Sequence, residues 1–221
     1  MGTDQTQPRD GAPPPEDQEL RELWDQLAAG VAEGPHPFHT ASLATVGAHS
    51  GASVAAEVRT VVLRYADRER WRVDLHTDLR SPKVAEIGAN PAVSLLLYDA
   101  PGKRQLRLKG RATVHNRDDL TAERWETVRS QSRLCYRTPV APSSQVAGVS
   151  DGPGGGPDRG PGGAPGAQAD ALLTEAAGYD NFCVVTVELT ELEALDLNHL
   201  GHSRRRWTRS DGGHERWEVA P

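Results

Sequence analysis

The composition of this 221-residue chain favours one soluble domain, since 37% of its residues are hydrophobic and its formal charge is −6. It contains neither a run of 18 apolar residues nor an N-terminal charged-then-apolar signal, so we expect a cytoplasmic protein without membrane contact. Residues 1–33 hold eight acids against two arginines. The remainder is balanced, which argues against nucleic-acid binding. Cys135 and Cys183 lack CxxC spacing, which is typical of free thiols in a reducing compartment.

Two segments are expected to lie outside the folded domain. Residues 1–16 are polar and proline-rich, which predicts a disordered tail. Residues 146–169 form a predicted mobile insertion, because 13 of the 19 residues from 148 to 166 are glycine or proline and such a run cannot form a packed core. The insertion also lacks the lysine of a phosphate-binding P-loop. Residues 17–145 and 170–221 are predicted to form a single domain.

In chain order, the first predicted element is an amphipathic helix. Its apolar residues recur at intervals of three and four, the period of one helical face. We expect Gly30 and then Gly34–Pro35 to end it. The helix is predicted to pack on the sheet of the domain or on a partner subunit. Its apolar stripe consists of Leu20, Leu23, Trp24, Leu27 and Val31.

The rest of the domain is predicted to be mainly β-structure, interrupted by a helix from Ser81 and another from Asp118 or Asp119 to about Ser130. Residues 93–98 are apolar except for Ser94, so we expect this strand to be buried on both faces. Residues 105–115 alternate, which predicts one apolar and one basic face. Six or more antiparallel strands without βαβ alternation indicate a small closed or half-closed β-barrel, not a Rossmann fold. The predicted strands are residues 38–46, 52–65, 71–77, 93–98, 105–115, 182–189 with a continuation over 192–197, and a hairpin of 204–207 with 216–219.

The strongest functional signal lies between Arg59 and Lys83. Ser81-Pro82 predicts a helix start, because serine can cap free N–H groups and proline suits the first helical position. A helix N-terminus is positively polarised, and Arg80 and Lys83 add positive charge beside it. We interpret this stretch as a phosphate site, and the alternative is a solvated helix start with basic neighbours.

The strand before this helix carries two arginines. Arg59 and Arg64 are five residues apart, which places them on opposite faces of a regular strand. Either a bulge intervenes or the two side chains contact different parts of a ligand. Neither a Ser-His-Asp order nor paired carboxylates stand out, which is typical of a protein whose cofactor carries the chemistry.

Two histidine pairs and one arginine run have weaker signals. His36-x-x-His39 and His199-x-x-His202 lack nearby carboxylates or cysteines, so no metal site is predicted. The run of residues 204–206 consists of three arginines. It could hold an anionic ligand, or it could be a solvated strand end.

Four motifs, RTVVLR, HTDLRSPK, NP and RQLRLKG, resemble in order and spacing the flavin-binding core of the pyridoxamine 5'-phosphate oxidase family, closest to its FMN-binding branch of unassigned substrate. The resemblance covers residues 38–115 well and residues 182–221 moderately. It implies an FMN-binding split β-barrel of Greek-key type and a homodimer with FMN at the subunit interface. It also implies an oxidoreductase that acts on a small molecule by hydride transfer through FMN.

The resemblance further implies roles for individual residues. Arg59 and Lys83 match the residues that bind the flavin phosphate, and His76-Thr77 matches a pair that lies along the flavin ring. Gln105 matches a glutamine that reaches FMN from the neighbouring subunit. The catalytic residues implied are His202 and Arg64, which would assist proton transfer and stabilise the anionic reduced ring. The cofactor-binding residues implied are Arg59, Thr60, Arg64, His76, Thr77, Arg80, Ser81, Lys83, Gln105 and Arg204.

The chain departs from the family pattern at several positions. Leu200 replaces a substrate-binding arginine, Ala194 stands where a tryptophan is expected, and Pro82 replaces an arginine for which Arg80 would substitute. Three alternatives therefore stay open: a true pyridoxamine 5'-phosphate oxidase, a reductase that uses the deazaflavin F420, and a non-catalytic flavin carrier. An oxidase should bind pyridoxal 5'-phosphate, a reductase should bleach with a pyridine nucleotide, and a carrier should do neither.

Overall fold

The computed structural model describes residues 17–48, 54–144, 172–199, 201–211 and 213–221. The predicted tail of residues 1–16, the predicted insertion of residues 146–169 and Leu200 lie outside these ranges. The strands of the described residues are β1 Thr40–Ala48, β2 Val54–Asp67, β3 Arg72–Asp78, β4 Ala92–Asp99, β5 Arg104–His115, β6 Phe182–Asp196, β7 Ser203–Ser210 and β8 Gly213–Val219.

These strands form one antiparallel sheet in the order β3-β2-β1-β4-β5-β6-β7-β8, and β3 also pairs with β6. The second pairing closes β1 to β6 into a barrel, from which β7 and β8 extend as a hairpin. Closure depends on the length of β6, whose residues 182–188 pair with β3 and whose residues 191–196 pair with β7. The predicted antiparallel barrel is therefore confirmed, and the two predicted segments 182–189 and 192–197 form one strand.

Short helices cover the ends and one side of the barrel. None of the helices in the described ranges is long and apolar enough to cross a membrane. The helix predicted to run to Ser130 ends at Thr127 and is followed by a separate short helix, and the helix over residues 175–181 was not predicted. The helices are α1 Gln18–Ala32, α2 Pro82–Ala89, α3 Asp119–Thr127, α4 Ser130–Arg133 and α5 Glu175–Asn181, with 3₁₀ turns at Pro37–His39 and Leu134–Tyr136.

Helix α1 packs on the barrel with the predicted stripe, since Leu23 and Leu27 are fully buried and join the main core. The prediction that Gly30 ends this helix is wrong, because α1 continues to Ala32. A Cβ at Gly30 would lie 2.5 Å from the carbonyl oxygen of Phe38. The glycine therefore permits close approach of the following 3₁₀ turn and does not break the helix.

The start of α1 is attached to the C-terminal hairpin through Asp17. Its carboxylate caps the helix by accepting from the backbone N–H groups of Glu19 and Leu20. The indole N–H of the buried Trp207 on β7 also donates to it, at 2.6 Å. The Asp17 side chain thus joins the N-terminal helix to the hairpin of β7 and β8 at the edge of the sheet.

Two strand predictions need correction. The expectation that residues 93–98 are buried on both faces is wrong, because β4 alternates: Leu95 and Leu97 are buried, whereas Leu96 is 41% and Tyr98 49% exposed. The strand is one wall of a barrel, so only its inner face meets the core. The first strand begins at Thr40 and not at residue 38, since Pro37–His39 forms a 3₁₀ turn. In β5, the predicted apolar inner face and basic outer face are present.

Candidate functional site

The start of α2 gathers hydroxyl groups around a lysine. Ser81 is the N-cap residue and is buried, but its side chain makes no capping hydrogen bond to the helix. The ammonium of Lys83 donates to the hydroxyl of Thr77 on β3 at 3.0 Å, and that hydroxyl lies 3.4 Å from the Ser81 hydroxyl. The predicted helix start is therefore confirmed. In its first turn the Ser81 hydroxyl and the Lys83 ammonium make no hydrogen bond to the helix backbone among the contacts described.

Arg59 on β2 approaches the same group from the barrel wall. Its guanidinium donates to Thr45 and to the carboxylate of Glu86, at 2.8 Å from the latter. Burial and the nearby charge of Arg59 lower the pKa of Lys83. Arg59 and Lys83 thus place two positive charges close together in a partly buried region, an arrangement that an added anion would stabilise.

Arg80 lies beside this cluster but is engaged elsewhere. Its guanidinium forms a bidentate pair with Asp78, at 2.7 Å and 3.0 Å, and donates to the Thr138 carbonyl oxygen at 3.0 Å. The side chain thereby ties the loop around residues 136–139 to the start of α2. Thr60 also stands apart, since it is exposed on the outer face of β2.

A β-bulge separates the two arginines of β2. Leu63 pairs with Leu75 and Tyr65 pairs with Asp74, so Arg64 is the extra residue. This confirms one of the two sequence-based alternatives. The bulge turns the Arg64 side chain into the wall of a cavity of about 370 Å³.

The cavity lies between the outer side of the barrel, the end of α1 and the loops around α4, and its described lining includes no carboxylate. Arginine side chains are permanently protonated. Arg64 and Arg129 therefore give the described cavity lining a positive potential. Burial raises the pKa of the Tyr136 hydroxyl, which therefore stays protonated and can donate. The charged and titratable residues of the described lining are His39, Arg64, His76, Arg129 and Tyr136.

His76 of β3 has an unusual environment in this cavity. Its ring packs edge-on against Phe182, with centroids 5.0 Å apart, and its Nε2 atom is buried without a hydrogen-bond partner. Burial, and then the charge of Arg64, lower the pKa of His76 from 6.5 to about 4. The imidazole is therefore neutral at neutral pH and holds an unused polar atom beside a cation.

The remaining predicted residues lie on the outer face of the sheet. Gln105 pairs with Leu195, and Leu195 pairs with Arg204, so Gln105 and Arg204 share one row across β5, β6 and β7. The Nε atom of Arg204 is buried without a hydrogen bond and lies 3.9 Å from the Glu193 carboxylate. His202 is exposed just before β7. Within one chain the predicted residues thus divide between the α2 end, the cavity and this outer row.

Sequence reasoning missed His39 as a cavity residue, because the His36-x-x-His39 spacing was considered only as a metal pattern. Both rings instead bond to backbone: His36 Nδ1 accepts from the Phe38 N–H at 3.1 Å, and His39 Nδ1 lies 2.7 Å from the Gly30 carbonyl oxygen. In the part of the chain that the structure describes, histidine, cysteine and carboxylate side chains form no metal-binding group of three or more.

Comparison with known proteins connects this geometry to a family. Residues 21–116 match the profile of the family described as pyridoxamine 5'-phosphate oxidase, FMN-binding domain. The match spans less than half of the chain, and this part is similar to the FMN-binding domain of that family. The matched segment includes β1 to β5 and the start of α2, and therefore both the Arg59–Lys83 cluster and the β-bulge. The sequence-based recognition of the family is confirmed, and the branch within it stays a prediction.

One curated relative and two solved structures illustrate the similarity. Pyridoxine/pyridoxamine 5'-phosphate oxidase 2 of Arabidopsis thaliana is 32% identical over 126 residues, which cover 52% of this chain and 62% of the plant protein. The chain therefore spans less than two thirds of that relative's length. A pyridoxamine 5'-phosphate oxidase-related, FMN binding protein of Nostoc punctiforme has a TM-score of 0.66 at 19% identity, over 91% of this chain and 96% of that one. PhzG of Burkholderia lata, solved in complex with tetrahydrophenazine-1-carboxylic acid, has a TM-score of 0.63 at 18% identity, over 95% and 94%. These likenesses confirm the split-barrel fold.

FMN is the cofactor of this domain family, and the residues of this chain fit it. The Arg59–Lys83 cluster offers two cations and two hydroxyl groups at a helix N-terminus, which suits a phosphate. The unpartnered His76 Nε2 atom is a polar position that a bound planar ring could satisfy. The phosphate and the ring are separate parts of FMN. His76 and Thr77 are consecutive on β3, so their side chains point to opposite faces of that strand.

Proposed function

We propose that this chain is an FMN-dependent oxidoreductase that acts on a small molecule. The observation that carries the proposal is the positively charged cluster at the start of α2, where Arg59, Lys83 and two hydroxyl groups surround a helix N-terminus. A separate cavity walled by Arg64 and His76 lies on the outer side of the barrel. Bound FMN would supply the electron-accepting or electron-donating chemistry that the side chains of the chain lack. The protein would supply binding, orientation and charge.

The cluster is the proposed phosphate-binding end. Arg59 and Lys83 would donate to phosphate oxygens, with Ser81 and Thr77 completing the contacts. Hydrogen bonds to charged groups contribute roughly 1.5 to 3 kcal/mol each. Removing the two cations should therefore weaken FMN binding by at least about 100-fold.

The cavity is the proposed reaction side. Arg64 lies there without a carboxylate among the described lining residues, so it would stabilise negative charge that develops on a bound ring or substrate. His76 stays neutral above about pH 4, and it can therefore hold a hydrogen bond without adding charge. The role of His76 follows from its burial, and the role of Arg64, which is exposed, follows from the β-bulge.

A homodimer with FMN at the interface is part of the proposal. Gln105 and Arg204 lie on the outer face of the sheet, apart from the α2 end, so both groups could reach one ligand if it lay between two chains. The same outer face exposes apolar side chains on β2 and β4, the two strands that flank β1: Val58 is 64%, Leu96 41% and Tyr98 49% exposed. Exposed apolar side chains on one face of a sheet favour a covered surface.

Pyridoxamine 5'-phosphate oxidation is a second candidate, favoured by the similarity to pyridoxine/pyridoxamine 5'-phosphate oxidase 2 of Arabidopsis thaliana. The replacement of a substrate-binding arginine by Leu200 weakens it. The absorbance of the FMN-loaded protein under anaerobic conditions distinguishes an oxidase of this kind from a reductase. Loss of the flavin band on adding pyridoxamine 5'-phosphate supports the oxidase. Loss of the band on adding NADPH alone supports a reductase.

The deciding experiment measures FMN retained by the Arg59→Ala/Lys83→Ala double variant, together with its sedimentation mass. We expect a folded protein with little or no flavin absorbance and the mass of two chains. The matched control is Arg70→Ala/Lys103→Ala, which removes two exposed cations elsewhere and should keep full flavin occupancy. Full occupancy in the first variant would contradict the phosphate assignment. Flavin that neither reagent reduces would contradict the oxidoreductase assignment.

A further inference from the structure

The turn after α1 fixes the orientation of His39 in the cavity wall. His39 Nδ1 lies 2.7 Å from the carbonyl oxygen of Gly30. A carbonyl oxygen can only accept, so Nδ1 carries the hydrogen of this bond. The atom of the His39 ring that can accept from another group is therefore Nε2.

The local sequence explains how this orientation is maintained. Gly30 lies in the last turns of α1, and a Cβ at this position would lie 2.5 Å from the Phe38 carbonyl oxygen. Phe38 is fully buried and anchors the 3₁₀ turn in the core. The absence of a side chain at Gly30 thus lets the turn lie directly on the helix, which brings the His39 ring to the Gly30 carbonyl.

The other charged and titratable groups of the described cavity wall act as donors or stay neutral. Arg64 from β2 and Arg129 before α4 are donor-only side chains. Tyr136 keeps its proton because burial raises its pKa. His76 from β3 is neutral above about pH 4, but no hydrogen bond fixes which of its nitrogens accepts. His39 is therefore the lining imidazole whose accepting atom the structure determines.

We propose that His39 contacts the bound substrate through Nε2 and accepts a hydrogen bond from a hydroxyl or amine group on it. The inference rests on the proposed function, because it takes the cavity as the substrate site. It adds a substrate class: small molecules that carry a hydroxyl or amine donor where they face the end of α1. Compounds of the same shape without that donor would bind more weakly, since they leave Nε2 without a partner.

The test compares two probes that differ by one hydroxyl group, pyridoxine 5'-phosphate and 4-deoxypyridoxine 5'-phosphate, on the FMN-loaded full chain. We expect the hydroxylated probe to bind about tenfold more tightly to the unaltered protein, as one good hydrogen bond allows. His39→Phe should abolish this preference and leave the affinity for the deoxy probe nearly unchanged. His39→Gln, which keeps an accepting oxygen, should restore part of it, and the exposed His199→Phe should have no effect.

A second readout does not depend on flavin chemistry. Nitrogen NMR of the labelled His39 ring should show a hydrogen on Nδ1, and pyridoxine 5'-phosphate should shift the Nε2 resonance. Failure to take up FMN would count against the proposed function alone, since the ring can still be observed while the probe is added. The inference is overturned by a hydrogen on Nε2, by an unshifted resonance at a probe concentration that saturates, by no probe binding, or by a preference that survives His39→Phe.

Discussion

Acid should destabilise the fold through His76, and the substitution His76→Phe should remove that effect. In the folded protein, burial and the charge of Arg64 hold the pKa of His76 near 4, against an ordinary value of 6.5. Asp74 acts in the opposite direction and Arg124 adds to the depression. Between pH 6.5 and pH 4 the unfolded chain therefore binds a proton at this position that the folded chain does not.

The sign and size follow from the linkage between protonation and folding. Because the unfolded state binds more protons in this window, the free energy of unfolding falls as the pH is lowered from 6.5 to 4. Each pKa unit corresponds to about 1.4 kcal/mol, so the drop from 6.5 to about 4 amounts to about 3 kcal/mol. That is a large part of the stability of a typical single domain. Below pH 4 the contribution of His76 is constant.

Urea unfolding of the flavin-free protein at several pH values measures this contribution. Carboxylates titrate in the same range, so the informative quantity is the difference between the unaltered chain and His76→Phe. Phenylalanine keeps a ring that can pack against Phe182, and the exposed His199→Phe serves as the matched control. Between pH 6.5 and pH 4 the free energy of unfolding of the unaltered chain should fall by about 3 kcal/mol more than that of His76→Phe. A constant difference across this range would refute the argument from burial.

Two further predictions concern the attachment of α1. Gly30→Ala should destabilise the protein by about 1 to 3 kcal/mol, because its Cβ would lie 2.5 Å from the Phe38 carbonyl oxygen. The control is Gly88→Ala in an exposed part of α2, where the added Cβ meets nothing within 4 Å. This control should stabilise the protein by about 0.5 to 1 kcal/mol. Asp17→Ala should cost roughly 1 to 3 kcal/mol, because it removes the α1 cap and the bond from Trp207. Asp17→Asn keeps an accepting oxygen and should cost clearly less, and thermal unfolding of all four variants would check both expectations.

Local signals in the sequence predicted those parts of the site that local structure builds. Ser81-Pro82 predicts the start of α2 because both residues act within one helical turn, and the structure places that start as expected. The five-residue spacing of Arg59 and Arg64 left two alternatives, and the bulge in the pairing of β2 with β3 decides between them. The alternation in β5 likewise predicts which of its faces is buried.

The features that sequence reasoning missed depend on tertiary contacts. Gly30 looks like a helix terminator because glycine has low helix propensity, yet the approach of Phe38 determines its role. The apolar run of residues 93–98 looks like a strand buried on both faces, but no other element of the described chain covers its outer side. His39 joins the cavity through a turn that folds back onto α1, and no spacing within the chain encodes that return.

The three arginines of residues 204–206 lie on two opposite faces of β7. Side chains alternate along a strand, so Arg205 turns towards α1 and pairs with Glu19 at 2.9 Å, while Arg204 and Arg206 turn to the outer face beside Glu193. Glu193 is almost fully buried, and the hydrogen bond from Arg206 and the charge of Arg107 lower its pKa against the effect of burial. It therefore stays ionised and holds these arginines in place.

That carboxylate does not satisfy every donor on the outer face. Arg204 keeps a buried Nε atom without a hydrogen bond, in the same row as Gln105. A solvated strand end would not bury an unused donor, because an unpaired buried polar group costs free energy. The row of Gln105 and Arg204 thus offers hydrogen bonds to a ligand on the outer face. The Arg59–Lys83 cluster of the same chain does not face that ligand position. An FMN molecule held between two chains would use both groups, and this favours the proposed interface over a site within one chain.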